Sequence, residues 1–115
     1  MPKRFYVYIV GSASGVLYIG STSDIRTRIW QHRHGTFGGF TSRYRVHRLL
    51  WFEGHSGPLS MVGRERQLKG WIRARKVQLI ESTNAGWRDL AQGWYEDDDL
   101  RAPRVTAEQA RSFGP

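Results

Sequence analysis

Phe5-Tyr6-Val7-Tyr8-Ile9-Val10 and Val16-Leu17-Tyr18-Ile19-Gly20-Ser21 are the two runs whose reading decides the fold of this chain. Only Gly11-Ser12-Ala13-Ser14-Gly15 separates them, a cluster of turn formers with two glycines able to take positive φ, so the pair reads as an antiparallel hairpin. Side chains alternate along a strand, which puts Tyr6 and Tyr8 on one face and Phe5, Val7 and Ile9 on the other. The second face reads as core and the first as a face of phenols. A strand tyrosine ordinarily packs its ring and leaves its hydroxyl at water.

Working outward, Ser21-Thr22-Ser23-Asp24 offers capping hydroxyls and a carboxylate for a helix from about Asp24 to about Arg33, which Gly35 stops. At helical spacing, Ile25, Arg28, Ile29 and His32 share one sector roughly 100° wide. Ile25 and Ile29 must face the sheet, so Arg28 and His32 are carried to the rim of the apolar face beside the tyrosine strands. A guanidinium held there needs an anionic partner. His32 and His34 lie two apart, on different helix faces, and no nearby cysteine or carboxylate completes a metal set, so they are not read as ligands.

Residues 35 to 46 read as a loop of basic and stacking character, and Val46 to Glu53 as a third strand, central or well covered because Leu49 to Phe52 is continuously apolar. Gly54 to Pro58 is a turn. A helix is expected from about Leu59 to about Lys76, with Met61, Leu68 and Ile72 as its stripe and Glu65 inside that stripe. Desolvating an unpaired carboxylate costs several kcal/mol, so Glu65 needs a cation. The spacing leaves Arg28 and a divalent metal equally open, with Lys69 a modest competitor at i,i+4 worth about 0.5 kcal/mol if exposed. Val77 to Glu81 is a short apolar run, Ser82 to Gly86 a turn, and Trp87 to Ala91 the start of a last short helix whose Trp87 and Leu90 close the core.

The chain has 115 residues, enough for one domain burying roughly two thirds of its unfolded surface. It has no cysteine, which excludes thiol catalysis and zinc-ribbon or RING-type sites. No apolar run approaches the ~18 residues of a membrane helix, and Met1-Pro2-Lys3-Arg4-Phe5 lacks the apolar stretch of a secretion signal, so a soluble cytoplasmic protein is expected. The net charge is +8, with fifteen Lys and Arg against five Asp and Glu in residues 1 to 95, and three against five in residues 96 to 115. A folded domain over 1 to 95 and an acidic, then Pro/Arg/Ser-containing tail over 96 to 115, poorly ordered from about residue 100, follow from that shift. Arginines beside aromatics, as in Arg43-Tyr44-Arg45 and Trp71-Ile72-Arg73, attract polyanions and stack on bases. Arg43, Arg45, Lys69 and Arg73 are the candidate nucleic-acid contacts.

Tyr6-Val7-Tyr8, Tyr18-Ile19-Gly20, the run from Ser21 to Arg28, His32, the run from Arg64 to Trp71, and Leu79-Ile80-Glu81-Ser82-Thr83-Asn84 together resemble the GIY-YIG nuclease family. The likeness is to small stand-alone bacterial members related to the nuclease domain of the excinuclease C subunit. It implies an α/β domain in the order β-β-α-β-α-α, a three-stranded antiparallel sheet flanked by helices, and metal-dependent hydrolysis of nucleic-acid phosphodiesters, DNA foremost. It further implies that Glu65 holds one Mg²⁺ or Mn²⁺ whose remaining positions are filled by water. Arg28 would clamp the scissile phosphate. Tyr18 would act as general base or water positioner with Tyr8 beside it, its pKa lowered by Arg28 and the metal. His32 would bond a tyrosine or the phosphate, and Asn84 would hold the far wall together. Tyr6 stands where the first motif normally has glycine, and Ala85 follows Asn84 where proline is common.

A second reading keeps the scaffold as a nucleic-acid-binding module that cleaves little or nothing. A third makes Glu65 a structural partner of Arg28. The charge and the motif set favour the endonuclease.

Overall fold

A computed structural model of the chain describes residues 4–35 and 44–95. Arg43, most of the loop expected over 35 to 46, and the whole 96 to 115 tail lie outside the described residues. β1 (Phe5–Gly11) is the central strand of a three-stranded antiparallel sheet ordered β2-β1-β3, with β2 (Leu17–Thr22) and β3 (Arg48–His55) on its edges. The hairpin forms as its turn residues dictate. Ser12 N–H donates to Val16 O at 2.9 Å, and Gly15 takes φ of 93°, a left-handed conformation other residues resist.

β3 is an edge strand, but a covered one, and its unbroken apolar run has a local cause. Ile9 pairs with Trp51 while Val10 pairs with Leu49, so the register slips and Leu50 is the extra residue of a bulge. The bulge breaks the alternation. Leu49 turns to one face of the sheet, and Leu50 and Trp51 both turn to the other.

Both faces are consequently buried. On one, Val7, Ile9, Ile19, Leu50 and Trp51 meet Leu68 and Ile80; on the other, Tyr8, Val10 and Leu49 meet Ile29, Val46 and Ala91. The face read as phenols at water is in fact a second core, and Tyr8 is 0% exposed.

Helix α1 (Ile25–Arg33) supplies Ile29 to that second core, and Asp24 caps it by accepting from Thr27 N–H at 3.1 Å. Gly35, at φ 64°, follows its end. The single helix expected over 59 to 76 is two helices, α2 (Pro58–Lys69) and α3 (Arg73–Thr83), and the 77 to 81 run belongs to the second. Gly70 closes α2 with its N–H on Arg66 O and Gln67 O, and Ile72 enters α3 in extended conformation at ψ 158°. The elbow returns Leu79 and Ile80 to the core that Leu68 already occupies, and leaves Ile72 69% exposed, off the stripe it was assigned to.

No helix forms at 87 to 91. Trp87 takes φ of 53°, and Leu90 N–H bonds Leu49 O at 2.8 Å, so the segment straps the edge of β3. Trp87 and Leu90 still pack against the two cores, as expected of them. The element order is β-β-α-β-α-α, with the last two helices placed differently from the sequence reading. Among the described residues no helix is long and apolar enough to cross a membrane.

Candidate active site

Tyr8, Tyr18, Arg28 and His32 meet where α1 crosses the hairpin. Helical spacing brings Arg28 and His32 to the same side as Ile25 and Ile29, and strand pairing brings Tyr8 opposite Gly20, two residues from Tyr18. The Tyr8 hydroxyl lies 2.8 Å from His32 Nε2, and both rings are buried. Tyr18, half-buried, tilts against the same imidazole with ring centroids 5.5 Å apart.

Burial pushes the Tyr8 phenol well above the usual tyrosine range, against the charge and hydrogen bond of Arg28. Burial also drives the His32 pKa down to about 3, helped by the charges of Arg28 and His47, so the ring is neutral at physiological pH. A neutral imidazole and a fully protonated phenol form a positioning pair.

Glu65 arrives from the other side of the sheet. α2 packs on the face that carries Val7, and Ser21, paired with Val7 on β2, points to that same face. Ser21 Oγ donates to Glu65 Oε1 at 2.6 Å, and Lys69 Nζ lies 2.8 Å from Oε2. The carboxylate side chain is 19% exposed and Lys69 53%. Burial opposes the charged form of Glu65, but the hydrogen bonds from Lys69 and Ser21, with the charges of Lys69 and Arg28, hold its pKa below the ordinary carboxylate range. The acid and the tyrosine cluster therefore sit on opposite faces of the edge strand β2, close enough for Arg28 to bear on Glu65 and for Glu65 to bear on Tyr8.

The remaining sequence candidates lie elsewhere. Asn84 does not join the cluster: it is buried at the C-terminus of α3, where its side-chain amide donates to Leu50 O at 3.1 Å and Arg88 O at 2.7 Å and accepts from Arg88 N–H at 3.0 Å. Leu50 belongs to β3, the far edge of the sheet, so Asn84 ties the wall there. Lys69 is engaged by Glu65. Arg45 is exposed at φ 54° ahead of β3, and Arg73 reaches the hairpin turn, its guanidinium beside Gly15. His34 stacks on Trp30 with centroids 4.1 Å apart, on a different face of α1 from His32.

Two residues of the quoted motifs have roles at the site that the sequence does not assign them. Ser21 was read as part of a helix cap and is the neutral partner of Glu65; its register opposite Val7, two residues from Ile9, was the available signal. Gly20 is the floor beneath the Tyr8 ring.

The chain matches the family model described as the GIY-YIG catalytic domain over residues 4–78, a span that includes Glu65 and ends before Asn84. It is 33% identical over 81 residues to a UPF0213 protein of Haloquadratum walsbyi, covering 70% of this chain and 91% of that one. It is 35% identical over 80 residues to a UPF0213 protein of Syntrophus aciditrophicus, covering 69% and 92%. Among solved structures, the solution NMR structure of a UPF0213 protein from Bacillus halodurans superposes with a TM-score of 0.50 at 25% identity, covering 77% of this chain and 95% of that one.

Proposed function

Since the chain belongs to the GIY-YIG catalytic-domain family, we propose that it is a metal-dependent endonuclease hydrolysing phosphodiester bonds in nucleic acid, DNA foremost. The observation that carries this reading is the ionised Glu65, fixed by Ser21 on β2 across the strand from Tyr18 and Arg28.

The donor set suits Mg²⁺ or Mn²⁺. Glu65 offers a charged carboxylate with the Ser21 hydroxyl oxygen beside it, and hard cations choose oxygen. Among the described residues no three of His, Cys, Asp and Glu gather as a ligand set. Mg²⁺ held by one carboxylate and a shell of water needs no such set. When bound, the ion would supply Lewis-acid polarisation of the phosphoryl oxygens and relief of charge on the leaving oxygen.

The chain's own residues divide the rest. Arg28 offers a forked donor to the scissile phosphate. Tyr18, the half-buried phenol of the pair, would hold the attacking water, its partial exposure leaving room for one. Tyr8, fully buried and with its pKa raised by that burial, orients His32 instead, the ring against which Tyr18 tilts. Lys69 must swing from Glu65 to admit a cation, and its exposed side chain is free to do so and to meet a backbone phosphate. A nucleic-acid substrate and the lack of cysteine both agree with work in a reducing cytoplasm.

The test is incubation with branched, single-stranded and duplex DNA in Mg²⁺ or Mn²⁺. Metal-dependent cutting is expected on at least one substrate, with Glu65→Ala binding DNA but not cutting it. No cutting on any substrate overturns the reading. The Lys69 ion pair on the acid favours a second reading, a binding module whose Glu65 is occupied internally; there, Glu65→Ala changes stability alone.

A further inference from the structure

A second feature of the fold is unused by the chemistry above. At the elbow between α2 and α3, Trp71, partly buried against the core, borders a groove of about 240 Å³ lined also by Arg75, Gln78, Leu79 and Ser82. Residues 75, 78, 79 and 82 follow one face of α3, so the groove is built on a rigid helix.

Its cation is prepositioned. The Arg75 guanidinium lies 4.3 Å from the Trp71 ring centroid, a stacking distance. Arg64 also approaches that ring, at 5.4 Å, but it is tied to Glu53 at 3.1 Å and to Gln67 at 2.7 Å. The Arg75 side chain makes no ion pair or hydrogen bond among the described residues; it is exposed and held by its contact with the Trp71 ring, which leaves its donors open to a ligand. Gln78 likewise keeps its amide open, Leu79 gives an apolar wall, and Ser82, whose hydroxyl donates to Leu79 O, retains acceptor capacity. α3 opens with Arg73, Arg75 and Lys76 and has no acid in its first turn, which adds a positive field at its N-terminus.

A planar fork for phosphate, an amide for a base edge and an apolar wall for a base face are the parts that hold a nucleotide unstacked from its neighbours. We propose that this groove is a subsite for one unpaired nucleotide of the substrate strand, with its phosphate on Arg75, its base edge on Gln78 and its base face on Leu79. The inference rests on the endonuclease reading and adds the substrate class, nucleic acid with a single-stranded segment. Glu65 lies on α2 and Trp71 just past its C-terminal cap, so the subsite would hold the strand beyond the end of the helix that carries the acid.

The experiment measures binding without cleavage. A short fluorescein-labelled single strand and the same sequence as duplex are titrated in EDTA with wild type, Arg75→Gln, Gln78→Ala and the control Arg88→Gln, which removes one exposed cation from the strap after α3. All three side chains are exposed, so folding is preserved. Arg75→Gln is expected to weaken single-strand binding roughly ten-fold and to make the salt dependence shallower by about 0.7 in log-log slope. Gln78→Ala should weaken it several-fold, Arg88→Gln by about two-fold or less, and duplex binding should follow the control in every variant.

Equal losses in Arg75→Gln and Arg88→Gln overturn the subsite and leave a general basic surface. Equal losses on single strand and duplex also overturn it, in favour of a duplex track. Cutting that depends on Glu65 alongside either result sinks the subsite alone, whereas wild type that binds neither strand sinks the endonuclease with it.

Discussion

The Tyr8 hydroxyl closes over Gly20, so tightly that a Cβ at Gly20 would lie 2.4 Å from Tyr8 Oη and 2.6 Å from its Cζ. Tyr8 is buried on every side and cannot retreat. The glycine of the second motif is therefore there to let a phenol lie flat on a strand, between β2 and the helix that carries Arg28.

Gly20→Ala is expected to destabilise the fold by about 1 to 3 kcal/mol, because overpacking a fixed ring forces backbone or rotamer shifts. Combined with Tyr8→Ala it should cost much less than the sum of the two single changes. Gly63→Ala is the matching control. It lies within α2 with nothing near its would-be Cβ, and should stabilise by about 0.5 to 1 kcal/mol. Thermal unfolding of the four variants checks both signs.

His32 gives the fold a built-in response to acid. Its pKa is pushed down to about 3 when folded, against about 6.5 in the unfolded chain, so the unfolded state binds the extra proton in that window. The contribution to stability is whole above pH 6.5 and is lost as pH falls toward 3, with a limiting slope of about 1.4 kcal/mol per unit. His47, whose pKa is also lowered, adds in the same direction. His32→Gln should show a shallower fall in Tm between pH 7 and pH 4 than wild type. Parallel profiles would mean that His32 protonates freely in the fold.

Much of this arrangement is legible in the residues, and the exceptions share a cause. The hairpin, the α1 cap and the inward faces of Arg28 and Glu65 follow from alternation, turn chemistry and helical spacing, all of which act over a few residues. The break at Gly70 does not, because Leu68 and Ile72 fit one stripe equally well whether or not the helix continues; only the need to return Ile80 to the core decides it. Burial of Tyr8 depended on α1 and the 87 to 95 strap covering the second face of the sheet, which no local pattern announces. Asp89, expected only as part of a last short helix, joins the same long-range class. It lies two residues before Ala91, whose N–H it accepts at 3.0 Å in an Asx turn, and the same oxygen caps Leu49 N–H at 3.1 Å while the other meets Arg33 at 2.5 Å.

Glu65 yields a direct test of metal binding. Mn²⁺ added to labelled protein should broaden amide signals around Glu65 and Ser21, and Glu65→Gln should abolish the effect. Lys69→Ala removes a competing cation from Oε2. Since half of that lysine side chain is solvated and its pairing screened, affinity for Mn²⁺ should rise only about two-fold. The same change should move the Glu65 pKa upward, since Lys69 supplies the first of the interactions that lower it against burial. Broadening centred elsewhere would remove Glu65 as the ligand.

Asn84 separates a wall residue from a chemical one. Asn84→Ala strands the buried Leu50 carbonyl, which should cost about 1 to 3 kcal/mol and lower Tm by roughly 4 °C or more. The Arg88 groups it also holds are near solvent and can turn to water. Because the lost bonds are on β3 and the acid and phenols are at β2, Mn²⁺ binding and the cleavage rate per folded molecule, measured well below the melting range, should stay within about two-fold of wild type. Glu65→Ala should show the reverse pattern, with Tm nearly kept and cutting gone. A large loss of rate in folded Asn84→Ala would place the amide in the chemistry and mean that the two edges of the sheet act together on the substrate.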